Sequence, residues 1–349
     1  MDIDDLRQKI ADLDKEIIQL VAARMDVAKE IGKWKNEKKK PIRDPAVEKE
    51  VIRRYIALGQ QFGISEHTSK ELATALIREA VDVQASLSHP LSPKKVLIIG
   101  GKGKMGEWLH NFFSTDGHIV DVIGRNGPAL SDIVDDYEVI IISTPISTVK
   151  SKLEELSEIA SGQLIFDISS LKSPFVTTIK GMAQNLKVCS VHPMFGPTIP
   201  SVYDRNIIIC DCGNAAAVHE ASSLFDGHGA NITHMDIDEH DRCMAYVLGM
   251  SHAVNIAFFT ALVDSGISYD KLKEAGSTTF QRMAESAIEV SQENPLLYYE
   301  IQHLNENAVI TWAKFMNAVD KVMKASLDED STSFVEIMKR GKDYFSQSR

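Results

Sequence analysis

Cysteine is scarce in this chain. Four residues in 349 (Cys189, Cys210, Cys212 and Cys243) lack the paired spacing of a zinc site and are too few for a disulfide framework. No metal centre is expected, and a reduced, cytoplasmic setting follows. Basic excess is also missing. Thirty-eight Lys and Arg face 49 Asp and Glu, and the net charge of −11 argues against a general nucleic-acid binder. No apolar run reads as the roughly 20 residues that a membrane helix needs, so no membrane is expected as a partner. The first residues, MDIDDLRQK, carry charge where an export signal needs an apolar core, so no signal peptide is expected. A length of 349 residues suggests two or three domains.

The stretch Val96 to Gly106 reads VLIIGGKGKMG. Four apolar residues run into Gly101, Gly103 and Gly106, the G-x-G-x-x-G spacing. That pattern predicts a buried parallel strand, a tight turn and a helix N-terminus facing a pyrophosphate. Gly101 is expected to supply the turn, Gly103 to let the backbone approach the phosphates, and Gly106 to let the helix pack on the strand. Lys104 and Met105 complete the loop. Glu107 to Ser114 reads as the helix, and Ile119 to Ile123 as a second strand. Further strands are expected at 139–142, 164–168, 188–191 and 206–210, with helices near 147–160 and 174–185. This predicts a doubly wound parallel sheet. A Pro/Ser break, Ser88-His-Pro-Leu-Ser-Pro93, separates it from the segment before.

Polar residues cluster where ligands bind in such folds, at the ends of strands. They are Ser143-Thr144-Pro145, Asp167 to Lys172, and His192 to Pro197. The end of the second strand also bears on cofactor choice. An acid there would accept the ribose 2′-hydroxyl and repel a 2′-phosphate. The slot holds Gly124, followed by Arg125, and the only nearby acid, Asp121, sits mid-strand. NADP is therefore expected as the preferred cofactor, with NAD also possible.

The first 38 residues read as one long helix. Ile3, Leu6, Ile10, Leu13, Ile17, Leu20, Val27, Ile31 and Trp34 alternate by three and four. Such a helix is about 50 Å long, more than two further helices (45–59 and 65–86) can cover, so a partner chain is expected. Arg24 occupies a slot of the apolar seam, and a charge there is costly unless it meets an anion or snorkels. Lys35 lies on nearly the same face. Arg7 is about 25 Å from Arg24 along the axis, too far to share one small dianion unless Arg7 comes from a partner packed antiparallel.

These residues resemble the all-helical chorismate mutases. The matching pieces are Leu6-Arg7, Ile10, Leu13-Asp14, Arg24, Gly32-Lys33-Trp34-Lys35, Pro41-Ile42-Arg43-Asp44, Glu48 and Gln84. The resemblance implies an intertwined dimer in which Arg24 and a partner's Arg7 clamp the carboxylates of chorismate. Lys35 and Gln84 would donate to the ether oxygen, and Asp44 and Glu48 would orient the ring hydroxyl. Chorismate rearranges by a pericyclic step, so holding the compact conformer and stabilising charge on that oxygen is the whole task.

The glycine loop, Ser143-Thr144-Pro145, Asp167 to Lys172 and V-H-P-M-F-G at 191–196 look like prephenate dehydrogenase. Fused behind a mutase, the chain resembles the bifunctional chorismate mutase–prephenate dehydrogenase family. That implies a homodimer with three parts: an all-α mutase domain (1–88), an α/β doubly wound Rossmann domain (94–238) and an all-α dimerisation and substrate domain (239–349). His192 would be the general base for the C4 hydroxyl of prephenate. Ser170 would orient His192 or that hydroxyl, and Lys172 would attract substrate or fix the loop. His252 would line the substrate pocket. Relatives carry an arginine about six residues before the proline of the Asn294-Pro295 helix start; Glu289 stands there, and Arg282, two turns earlier on that face, is the nearest replacement. The nearly apolar stretch 244–263 is expected to be buried in a dimer interface. No separate amino-acid-sensing module is expected after it. Two other readings compete: an arogenate or hydroxy-acid dehydrogenase with a degenerate mutase, and a nicotinamide-sensing scaffold. Arg24, Lys35 and Gln84 in register disfavour the first; a base at His192 beside Ser170 disfavours the second.

Overall fold

The computed structural model describes residues 2–38, 40–85, 87 and 93–347. They fall into two compact units, one of residues 1–169 with 175–237, the other of residues 170–174 with 238–349.

The first unit begins with three helices, α1 (Ile3–Glu37), α2 (Pro45–Gln61) and α3 (Glu66–Ala85). Asp2 and Asp5 cap α1 reciprocally. Asp44 caps α2, and Pro45 takes its first position, where a missing N–H costs nothing. Ser65 caps α3, its Oγ accepting from Thr68 N at 3.2 Å. Gly32 lets α1 close on α3, because a Cβ there would lie 3.0 Å from Gln84 Cγ. The expected apolar seam of α1 lies open within one chain: Leu20 is 71% and Ile10 59% exposed. The linker residues 88–92 lie outside the described residues.

Next comes a seven-stranded sheet, built from β1 (Lys95–Ile99), β2 (Ile119–Ile123), β3 (Val139–Ile142), β4 (Leu164–Asp167), β5 (Lys187–Pro193), β6 (Asn206–Asp211) and β7 (Asn231–Asp236). Their spatial order is β2-β1-β3-β4-β5-β6-β7. Strand β3 is apolar at every position, and β1 and β4 are apolar except at one end, because both faces of the sheet are covered. The helices of this part are α4 (Lys104–Thr115), α5 (Leu130–Ile133), α6 (Ile146–Ile159), α7 (Val176–Met182) and α8 (Ala215–Phe225). Of these, α4 and α8 share one core with β1, β3 and β4, centred on Phe113, Phe166 and Phe225.

Two sheet expectations need correction. The sheet is not wholly parallel, since β6 runs antiparallel to β5. A loop joins them in place of a crossover helix, and only an antiparallel neighbour can be reached that way. The last strand, β7, was not anticipated. It pairs in parallel with β6 at the sheet edge, and its sequence NITHMD shows little apolar alternation.

The second unit is helical: α9 (Ile237–Met244), α10 (Ser251–Asp264), α12 (Thr278–Gln292), α13 (Pro295–His303), α14 (Ala308–Leu327) and α15 (Thr332–Ser346), with the short α11 (Tyr269–Glu274). A π-helical turn, Ala245–Met250, joins α9 to α10. The expectation about apolar runs is corrected here. By length and composition alone, the continuous helix Ile237–Asp264 meets the requirement for crossing a membrane. Nor is it buried within its own unit, for its most apolar window is only 11% buried, with Val263 76% exposed.

Candidate active sites

The crevice of the sheet is shaped by glycines. The positive φ (87°) falls on Gly100, one residue before the position expected to turn. A Cβ on Gly100 would lie 2.4 Å from the Ser143 carbonyl oxygen, so the turn and the end of β3 touch through backbone. Gly101 instead faces Val122 of β2, at 2.6 Å from a notional Cβ. Gly106 packs on the turn itself, 2.4 Å from Gly101 Cα on the same test. Gly103 caps α4, with Lys104 and Met105 in its first turn, and has space around it. Thr144 Oγ1 is buried with no hydrogen-bond partner, and Pro145 precedes α6 (Ile146–Ile159). A glycine cradle at a helix N-terminus beside an orphaned hydroxyl fits the pyrophosphate of a dinucleotide. At the end of β2 the aliphatic stem of Lys102 lies over Gly124, 3.2 Å from a notional Cβ there, and Arg125 is exposed. Asp121 accepts from the Tyr137 hydroxyl at 3.0 Å.

Parallel pairing sets the other strand ends beside this turn. Ile142 is paired with Asp167, and Asp167 with Ser190. Asp167 is fully buried, accepting from Ser190 Oγ at 2.5 Å and from Ser169 N at 2.8 Å. His192 follows on β5, opposite Ile208 of β6, and is 3% exposed.

The loop 170–174 belongs to the helical unit. Asp241 of α9 accepts from the backbone N–H groups of Lys172 (2.9 Å) and Ser173 (2.6 Å), from Ser173 Oγ (2.5 Å), and pairs with His240 Nδ1 (2.6 Å). Burial pushes the Asp241 carboxyl up, but His240 and Ser173 outweigh it and hold it below the usual range. Lys172 is fully buried. Ser170 on this loop is half-buried. On α10, His252 stacks on Tyr298 with ring centroids 4.2 Å apart. Its Nδ1 is buried without a partner, and burial pulls its pKa down to about 4. Arg282 is exposed on α12, as is Glu289.

In the helical N-terminal part, Arg24 is half-buried and donates to the Leu76 carbonyl of α3 at 2.8 Å. Lys35 donates to the Ile42 carbonyl. Burial lowers the Lys35 pKa, against the opposing pull of Asp44 and Glu48. Gln84 is buried at the Gly32 crossing. Glu48 is held by Arg43 Nε at 3.0 Å and by the Tyr203 hydroxyl at 3.2 Å. Asp44 is committed through one oxygen to the backbone of Ala46 and Val47. Arg7 is exposed and, among the described residues, pairs locally with Asp4 at 3.0 Å. A separate cleft of about 420 Å³ lies among Asp82, Trp108, Phe112, Ser201 and His228, and none of its residues is a candidate above.

Residues 6–85 match the family Chorismate mutase type II, 116–234 the nucleotide-binding domain of prephenate dehydrogenase, and 236–340 its dimerization domain. The chain belongs to the bifunctional chorismate mutase–prephenate dehydrogenase family. The T-protein of Enterobacter agglomerans is 22% identical over 346 residues, covering 97% of this chain and 92% of its own length. That of Haemophilus influenzae is 24% identical over 349 residues, covering 98% and 92%. Among solved structures, prephenate dehydrogenase from A. aeolicus with hydroxyphenyl propionate and NAD+ shares the fold at a TM-score of 0.58 and 18% identity, over 74% of this chain and 99% of its own.

Gly100, Lys102, Asp241 and Tyr203 also shape these sites, and the sequence patterns above do not single them out. The doubled glycine at 100–101 and the acid-histidine run Glu239-His-Asp241 were the available signals for two of them. Tyr203 left none, because its partner Glu48 lies 155 residues away.

Proposed function

We propose that the helical N-terminal domain rearranges chorismate to prephenate, and that the following domains oxidise prephenate to 4-hydroxyphenylpyruvate and carbon dioxide, with His192 as general base. The observation that carries the dehydrogenase assignment is a buried histidine at the C-terminal end of a sheet strand, in the row of strand ends that holds the glycine cradle. A bound nicotinamide supplies the hydride acceptor. His192 takes the C4 hydroxyl proton as hydride leaves that carbon. Loss of the ring carboxylate then makes the ring aromatic, which drives the step forward. Ser170 orients the base or the hydroxyl, and Asp241 with Lys172 keeps the Ser170 loop in shape. His252, neutral near pH 7, and Arg282 contact substrate.

In the mutase site, Arg24 and Arg7 of the partner subunit bind the two carboxylates. Lys35 and Gln84 donate to the ether oxygen, and Glu48 and Asp44 orient the ring hydroxyl. NADP⁺ is preferred over NAD⁺, through Gly124, Arg125 and the neighbouring Lys102. The working form is a cytoplasmic homodimer, with domains at 1–88, 94–238 and 239–349.

The test is His192→Asn. Oxidation of supplied prephenate should fall by about 10²–10⁴-fold, while cofactor titration and the mutase reaction survive. Near-normal turnover in that variant would make His192 a structural residue.

A further inference from the structure

We infer that Tyr203, which sits in the dinucleotide-binding part of the chain, is a positioning residue for the mutase reaction and acts by holding Glu48. The inference rests on the reading above that Glu48 orients the chorismate hydroxyl.

Tyr203 lies on the loop that leaves the His192 strand. Its hydroxyl donates to Glu48 Oε2 at 3.2 Å. Arg43 grips the same carboxylate, with Nε 3.0 Å from Oε1 and 3.3 Å from Oε2. The Arg43 guanidinium carbon stands 5.0 Å over the Tyr203 ring, and its Nη1 donates to Asn231 Oδ1 at 2.9 Å and to the Gly229 carbonyl at 3.2 Å. One mutase carboxylate is thus held in one rotamer by a mutase arginine and by a tyrosine from the next domain. The ring itself packs against the mutase core of Ile42, Ile77 and Val81.

The backbone around Tyr203 is built for this insertion. Gly229 has φ +79°, and a Cβ there would lie 2.9 Å from Tyr203 Cδ2 and 3.0 Å from Val81 Cγ1, so only glycine admits the ring. Asp204 is the one non-glycine with positive φ (57°) among the described residues, and its N–H donates to the Gly229 carbonyl at 2.9 Å. Burial and the Glu48 charge push the Tyr203 pKa up to about 12, so the hydroxyl keeps its proton for donation. Without that proton, Glu48 Oε2 keeps only the longer Arg43 contacts at 3.3 and 3.4 Å, and the carboxylate is held less firmly toward the substrate.

The experiment compares full-length Tyr203→Phe, Glu48→Gln and the double variant. Phenylalanine keeps the ring packing and removes only the hydrogen bond. Tyr203→Phe should raise the mutase KM for chorismate by roughly three- to tenfold with little change in kcat, because an orienting contact acts in ground and transition states alike. Oxidation of supplied prephenate should be unchanged. The double variant should be no worse than Glu48→Gln alone, since the hydroxyl works only through Glu48. A normal KM in Tyr203→Phe beside an impaired Glu48→Gln overturns the role of Tyr203, as do fully additive losses. A Glu48→Gln enzyme with normal chorismate kinetics overturns the reading of Glu48 and the inference with it.

Discussion

At the scale of one side chain, partnership decides what burial does to charge. Asp241 and His252 are both withdrawn from water, yet their outcomes differ. Asp241 gathers two backbone amides, a hydroxyl and an imidazole, so its carboxylate is favoured despite burial. His252 has a stacked ring and no partner at Nδ1, so burial alone acts and the neutral form wins. The linkage follows from that shift. Between its ordinary 6.5 and about 4, the unfolded chain binds a proton that the folded chain excludes. Stability contributed by neutral His252 is therefore complete above that window and lost as pH falls through it. His252→Phe keeps the ring and removes the titration. Its urea midpoint should vary less than wild type between those two pH values. Equal slopes for the two proteins would show that His252 does not titrate as its burial requires.

At the scale of an element, the strand–turn–helix β1–α4 was the most legible part of the chain. Local sequence carries it: an apolar run, a glycine turn and a helix that follows at once. The error there was one residue, because Gly100 and Gly101 are adjacent and the G-x-G-x-x-G spacing selects the second, whereas the positive φ belongs to the first. Strand direction was not legible. Alternation and apolarity are the same for either direction, so sequence alone suggests a parallel β6, whereas β6 is joined to β5 by a loop and pairs with it antiparallel. The three mutase helices were read with boundaries within two residues, since caps such as Asp44-Pro45 are local signals. Contacts between distant segments, such as Lys172 with Asp241, leave no periodicity to read. The same turn carries a cofactor prediction. Lys102 covers Gly124 and Arg125 follows it, so two cations and no acid stand at the end of β2. The ratio of kcat/KM for NADP⁺ over NAD⁺ should be roughly tenfold or more, and Lys102→Ala or Arg125→Ala should shrink it by about tenfold, as loss of one phosphate contact near 1.4 kcal/mol requires. An NAD⁺ preference in wild type would refute the assignment of this strand end. An unchanged ratio in Lys102→Ala alone would remove only Lys102.

At the scale of the whole molecule, the decisive feature is apolar surface that one chain leaves open. On α1, Ile10, Ile17, Leu20 and Val27 are all more than half exposed, although their spacing is that of a packed seam. A second copy paired antiparallel along α1 would cover them and bring the two ends of the helix together. Arg7 and Arg24 separate in the same way. Arg24 is turned to its own α3, while Arg7 is exposed and paired with Asp4 on its own helix. If each mutase site takes Arg24 from one subunit and Arg7 from the other, then Arg7→Ala and Arg24→Ala homodimers should both be inactive on chorismate. Each should still oxidise supplied prephenate. Refolding or co-expressing the two variants in equal amounts then makes mixed dimers with one site missing both arginines and one site intact. Mutase activity should return to about a quarter of wild type per chain, the statistical share of intact sites in a two-fold dimer that assorts at random. Sites built from a single chain would leave the mixture as inactive as its components, because every chain would still lack one arginine.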